Sequence, residues 1–407
     1  MHRTFALSLL LLAGSGLSAA DKPWIALFDG KTLNGWEVCN GQATYLVEGG
    51  TIVGTTKEGS PNSFLCTKKD YGDFVLEFET KTDPALNSGA QIRAHRYPED
   101  KTVTIFNGKE FVQRKQPKGR VYGYQVEVAS EKSGASGGIY DEARRGWLHN
   151  IASDPIASKA FKDNQWNHYR IQAIGDTIRV WVNGVPCAYV TDPLDQSGFI
   201  GLQVHAYKGE KPAQVRWRNI RIQDLGKHVW KPVWDGKTMT GWKHAGGGTS
   251  EIVDGAFKVA SKADDPRVAM VLSDQSFKDL TVRLQFKIVK GNSGFFVRTD
   301  PTNMAAYEVE VDELTRTGGF WETGPTGRKW VTGPDDNKAV RAGEWNQLTA
   351  SLHSHRIVFH VNDTKTLELP DDTQGRLEGV LGLQAHGSKK PTEVWFKSIE
   401  VLVPEGR

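Results

Sequence analysis

The chain is written in short runs that alternate apolar and polar residues. FVLEFET (74–80), TIRVWVNG (177–184) and VRWRNIRI (215–222) are examples. Alternation of this kind sends successive side chains to opposite faces of an extended strand. The runs are rich in β-branched and aromatic residues and stop at Gly, Asn or Asp, as strands closed by turns do. Helical spacing is confined to short stretches such as 154–162. Many short strands with turns between them predict an all-β chain of the sandwich or jelly-roll type.

The pattern repeats. FDGKTLNGW (28–36) returns as WDGKTMTGW (234–242), and NSGAQIR (87–93) as NSGFFVR (292–298). YQVEV (124–128) returns as YEVEV (307–311), and SGGIY (136–140) as TGGFW (317–321). QWNHYRI (165–171) parallels EWNQLTA (344–350), and GLQVH (201–205) parallels GLQAH (382–386). Matching words in one order predict two tandem copies of a single domain. The first covers 21–226 and the second 229–404. Copy one carries an extra basic segment, 94–120, where copy two has a short turn. It reads as a loop or hairpin at the edge of a sheet, a place where binding rims form.

Strand alternation sorts the repeated words into faces. In copy one Ala90, Ile92, Tyr124, Val126, Val128, Leu202 and Val204 face the core. Gln91, Arg93, Gln125, Glu127, Gln203 and His205 face outward. The same rule gives Phe296, Arg298, Glu308, Glu310, Asp312, Gln384 and His386 in copy two. Arg, Glu, Gln and His at matched places on three strands suit the hydroxyls and carbonyls of a sugar. The bland alternative is a polar network that stiffens the sheet. Next comes GGIYDEARRGWL (137–148), where Tyr140, Asp141, Glu142 and Arg145 crowd into a turn-rich segment. Copy two has Glu322, Arg328 and Lys329 there. Trp147 reads as core packing. His205 with Glu127 offers two metal ligands, fewer than a typical site needs, so a divalent metal stays open and no other cofactor is expected.

Composition narrows the picture. The 407 residues suit two domains. A net charge of +3 argues against a nucleic-acid partner, and no apolar run is long enough to insert in a membrane. Residues 1–20 read as a signal peptide: His2 and Arg3, an apolar 5–12, then small residues at 18–20. The expected location is periplasmic or secreted. Of three cysteines, Cys39 and Cys66 lie on nearby predicted strands, close enough in sequence pattern to pair, which leaves Cys187 over.

With these words together, the chain resembles the 3-keto-disaccharide hydrolase domain family. The resemblance rests on LFDGKTLNGW (27–36), NSGAQIR, GYQVEV (123–128), GGIYDEARRGWL, QWNHYRI and GLQVH with RWRNIRI (216–222). It implies a concanavalin A-like jelly-roll sandwich in each copy. It also implies an oxidised saccharide substrate, supplied by a sugar 3-dehydrogenase. In this subfamily GYQVEV is followed by Asp; here Ala129 stands there, and copy two keeps Asp312. The implied reaction is elimination: the C3 ketone acidifies the C2 proton, the C1 oxygen leaves, and water adds back. It needs a base at C2, a donor on the C3 oxygen and an acid at the leaving group. The expected base is Glu127 or His205, with Arg93 on the enolate. Asp141, Glu142 or Tyr140 assists departure, and Gln91, Gln125, Gln203 and Arg145 bind substrate. Two alternatives stay open: two-carboxylate glycoside hydrolysis, and a non-catalytic tandem lectin-like module.

Overall fold

The computed structural model describes residues 22–106, 110–312, 316–324, 330–334 and 339–406. The expected signal peptide lies outside the described residues, as do Arg328 and Lys329. Each half is a pair of antiparallel sheets closed over one apolar core. In copy one, the sheet that matters for function runs Gly146–His149, Ile139–Glu142, Val121–Val128, Ser88–Arg96, Phe199–Val204, Ser63–Thr67, Trp36–Cys39. Copy two repeats this order from Trp330–Thr332 through Phe320–Thr323, Ala306–Asp312, Asn292–Thr299, Gly379–Ala385 and Ala269–Phe277 to Trp242–Gly246. The opposite sheets centre on Asp73–Thr82 beside Gln214–Gly226, and on Leu280–Lys290 beside Thr392–Pro404. The helical stretch near 154–162 contains one 3-10 turn, Ala157–Lys159, started by Asp154 accepting the backbone N–H of Ile156 and Ala157.

The alternating residues build the core as the sequence pattern requires. Tyr124, Val126, Val128, Leu202 and Val204 are buried against Phe78, Tyr169 and Trp217 of the facing sheet. The rings of Phe78 and Tyr169 stack at 5.0 Å. The repeated DGKT words are turns: Asp29 and Asp235 each accept two backbone N–H groups on the next three residues. The extra basic segment forms a hairpin, Lys101–Phe106 with Phe111–Gln116. Cys39 and Cys66 sit on adjacent strands as buried free thiols; Cys66 faces Glu37 and Cys39 faces Phe64, so the two are diagonal rather than opposite.

Two arginines break the alternation. Between the Phe199–Ala94 and Gly201–Gln91 pairs, the Ser88–Arg96 strand carries one residue more than its partner. The other neighbour, Val121–Val128, shows the same shift between Tyr122 and Tyr124. Arg93 occupies this bulge with φ near 46°. A bulge re-aims a side chain, and Arg93 turns into the protein, 0% exposed. It donates to the carbonyls of Gly72 (2.8 Å), Gly175 (2.6 Å) and Asp195 (3.2 Å), and pairs with Asp73 at 3.1 Å. Arg298 repeats this with φ near 51°, holding the carbonyls of Arg376 and Ser354 at 2.9 Å. The expectation that Arg93 and Arg298 line the polar face is therefore corrected. Both guanidinium groups are buried and spent on backbone carbonyls.

The copies meet through buried polar groups. Asp176 accepts from Thr281 (2.8 Å), Ser351 (2.5 Å) and His353 (2.8 Å) of copy two. Arg356 of copy two reaches Thr191 Oγ1 at 3.1 Å and lies 4.0 Å above the Tyr189 ring.

Candidate functional site

With Arg93 removed, a compact group remains on the polar face of copy one. Gln91, Gln125 and Gln203 come from three adjacent strands and join directly. Gln91 and Gln203 donate to Gln125 Oε1 at 2.8 and 2.7 Å, and Gln125 donates to Glu127 Oε2 at 3.0 Å. Asn87, at the start of NSGAQIR, donates to the other oxygen of Glu127. Gly89 makes this possible: a Cβ there would sit 2.6 Å from the Gln125 side chain. Burial drives the Glu127 pKa up to about 7, eased by the two amide hydrogen bonds and raised again by the Glu142 charge. Among the described residues, the Oε1 atoms of Gln91 and Gln203 are buried without a hydrogen-bond partner. Buried acceptors of this kind call for a donor, and a sugar hydroxyl is one.

Tyr140 and Glu142 flank the group. Tyr140 pairs across the ladder with Gln125 and so shares its face. Its hydroxyl pKa is raised by burial and by the Glu142 charge, and Arg114 of the hairpin lies close enough to oppose the rise. Glu142 accepts from Arg120 at 2.5 Å and from Asn62 at 3.4 Å. Trp147 is not core: it is 41% exposed and meets Tyr140 edge-on at 5.3 Å. An aromatic side chain half open to solvent beside a polar group suits a sugar ring better than it suits packing.

Two other expectations are corrected. Asp141 pairs with the core-facing Tyr124 and so points away from Gln125. It is fully buried between Arg144 (2.8 Å) and Arg145 (2.6 Å). Arg145 in turn holds Asp192 at 2.9 Å and donates to the carbonyl of Asp363 in copy two. Asp141 and Arg145 tie the site strand to the neighbouring copy and lie off the face that carries Gln125 and Glu127. His205 stands one residue past its strand, half-buried, with Nδ1 2.7 Å from the carbonyl oxygen of Ala206. The neighbouring backbone N–H of Ala206 donates to Asn62 Oδ1, the amide that also reaches Glu142.

In copy two the same face is a pocket of about 480 Å³. Glu310 matches Glu127 and accepts from Asn292, the match of Asn87. Glu308 replaces Gln125, and Phe296 replaces Gln91. Gln384 and His386 sit where Gln203 and His205 do, all lining the pocket. Burial and the Glu310 charge push the Glu308 pKa well above the usual range, and burial also raises Glu310. Asp312 is bound by Arg316 at 2.8 Å, and that guanidinium also lies 3.5 Å from Glu310. Among the described residues there is no cluster of three or more His, Cys, Asp or Glu arranged to hold a metal.

Asn87, Asn62, Arg114 and Arg120 are the residues sequence reasoning missed. Asn87 had a signal, since it opens a word repeated in both copies.

The 3-keto-alpha-glucoside-1,2-lyase-like domain model matches residues 23–223 and again 229–402. The chain belongs to this family, in two tandem copies. No curated protein matches it. Among solved structures it is similar to a protein of Parabacteroides distasonis ATCC 8503 provisionally named a glycosyl hydrolase (20% identity, 42% of this chain and 98% of that one, TM-score 0.32). It is also similar to carbohydrate binding module CBM66 from Bacillus subtilis (17%, 39% and 93%, 0.33). A third is a Bacillus subtilis protein with a galectin-like fold (12%, 50% and 94%, 0.35).

Proposed function

We propose that copy one cleaves 3-keto-glucosides by elimination across C1 and C2, and that readdition of water completes a net hydrolysis. The observation that carries this reading is Glu127. It is a buried carboxylate held by two amides, with its pKa at about 7. A base poised near neutrality is what removal of a ketone-activated proton requires. Gln91 and Gln203 direct two unpartnered carbonyl oxygens at substrate hydroxyls. Tyr140 protonates the leaving oxygen, and Arg114 supplies positive charge beside it. With Arg93 withdrawn, this reading draws the positive charge for a C3 enolate from Arg114 of the hairpin. This reading takes residues 1–20 as a leader that sends the chain to the periplasm or outside the cell, and a sugar 3-dehydrogenase as the source of the substrate.

The test is incubation of the full chain with 3-keto-trehalose and mass spectrometry of the products. Wild type releases glucose and a 3-keto sugar or its unsaturated precursor. Glu127→Gln slows release on the order of 10²–10⁴-fold, and the wild-type rate rises with pH through about 7. Full activity in Glu127→Gln sinks the proposal.

A further inference from the structure

We propose that copy two holds a second acid–base site, which adds water across the C1=C2 bond of the unsaturated 3-keto sugar that copy one releases. This rests on the elimination reading of copy one, and it assigns the two halves of a net hydrolysis to two faces.

Two substitutions between matched positions set the faces apart. In copy one the site's centre is Gln125, a neutral amide engaged by Gln91, Gln203 and Glu127. It cannot donate a proton to carbon. In copy two Glu308 stands there, and Phe296 takes away the amide that Gln91 supplies. Glu308 is 5% exposed and, among the described residues, has no hydrogen-bond partner, although it lines an open pocket. The pocket is within the size range of small-molecule sites. The room for Glu308 is built in: a Cβ on Gly294 would lie 2.1 Å from its Oε1. Met270, Met304 and Phe296 give the pocket an apolar side, and Trp321 stands where Tyr140 does.

The two carboxylates differ in surroundings. Glu310 has the Asn292 amide and the Arg316 guanidinium at 3.5 Å, which favour its ionised form. Glu308 has neither at hydrogen-bonding distance, and burial beside Glu310 keeps its proton on. One acid and one base on a shared face is the pairing that hydration needs. The oxygen of water bonds to C1 while one of its protons passes to Glu310. The π electrons of C1=C2 move toward the C3 ketone, and C2 then takes the proton of Glu308. The product is the 3-keto hexose with a hydroxyl on C1. Glu308 is left ionised and Glu310 protonated, and exchange with solvent restores both. No oxidant or cofactor is consumed.

The probe is the synthetic unsaturated 3-keto sugar, given directly to the full chain in D₂O. Loss of the enone absorbance is followed, with deuterium at C2 read by NMR. Wild type accelerates hydration. Glu308→Gln, isosteric with its copy-one counterpart, and Glu310→Gln each lose on the order of a hundredfold or more, with unchanged thermal midpoints. Glu127→Gln loses elimination and still hydrates. Wild-type hydration in both copy-two variants overturns the proposal, as does loss of hydration in Glu127→Gln. Because the probe bypasses elimination, a wild-type chain that hydrates it but leaves 3-keto-trehalose intact would refute the copy-one reading alone.

Discussion

The two polar faces share a frame and differ in what fills it. In both, the Asn of an NSG word holds a carboxylate on the next strand: Asn87 with Glu127, Asn292 with Glu310. In both, the glycine of that word leaves space for the neighbouring side chain. What differs is the pair beside the carboxylate, Gln91 and Gln125 against Phe296 and Glu308. Amides surround the Glu127 carboxylate with neutral donors. An acid over a phenyl ring gives copy two a second titrating group and an open pocket. The duplication thus kept the amide-held carboxylate and varied its partner, and the partner decides which proton transfers a face can make.

The largest effect expected separates a structural arginine from a site arginine. Arg145 is buried between Asp141 and Asp192 at the seam between the copies. Removing one partner of a buried ion network strands the others, at a cost of about 3–5 kcal/mol. Arg145→Ala should lower the thermal midpoint accordingly and loosen copy one from copy two. A folded variant of unchanged stability that binds substrate poorly would restore Arg145 to the site.

The seam and the copy-one face also titrate in opposite senses. Burial lowers the His360 pKa from 6.5 to about 4, with the Asp192 charge opposing. Between those values the unfolded chain holds a proton that the folded chain lacks, so stability falls as pH falls, by about 1.4 kcal/mol per unit. Glu127, raised from 4.5 to about 7, is protonated in the fold over the same window and gains stability as pH falls. These two contributions nearly cancel each other. Relative to wild type, Glu127→Gln steepens the loss of stability toward low pH, and His360→Gln lessens it. Chemical denaturation at several pH values between 4 and 6.5 checks both variants, and parallel curves would refute the assignment.

These contrasts show how far sequence carried. The tandem sandwiches and the Gln91–Gln125–Gln203–Glu127 group were legible because a period of two survives wherever a strand is regular. Arg93 and Arg298 were misread for the same reason. One extra residue in the strand inverts the side chain, and nothing in NSGAQIR announces it. Asp141 failed differently: it was read as part of a turn-rich segment, whereas it lies on the Ile139–Glu142 strand, in a register against Tyr124 that alternation does not encode. The Asn87 contact was beyond reach because it joins the residue just before one strand to a residue near the end of another. Trp147 was read as core packing in preference to sugar stacking, whereas its place on the edge strand leaves it open.

A smaller effect comes from making copy one resemble copy two. Gln125→Glu puts a second carboxylate beside Glu127 and removes its amide donor. Both changes disfavour the ionised base. The rising limb of the elimination profile should move up by about one pH unit, with roughly a tenfold lower rate at pH 7. A limb that stays near 7 would mean that Glu127 is not the titrating base.

The smallest expected effect is the reverse exchange in copy two. Phe296→Gln restores the amide that Gln91 provides in copy one, now facing Glu308 in place of Gln125. A donor to the carboxylate favours its ionised form and lowers the Glu308 pKa, by about 1 kcal/mol for one net hydrogen bond. Hydration requires the protonated acid, so its falling limb should shift to lower pH, with the rate beyond that limb dropping roughly fivefold. The variant also trades apolar surface for an amide, which weakens any hold on the apolar side of a sugar ring and raises KM. A change in KM with the limb unmoved would assign Phe296 to binding only. A moved limb ties it to the proton on Glu308, the feature that distinguishes the second face from the first.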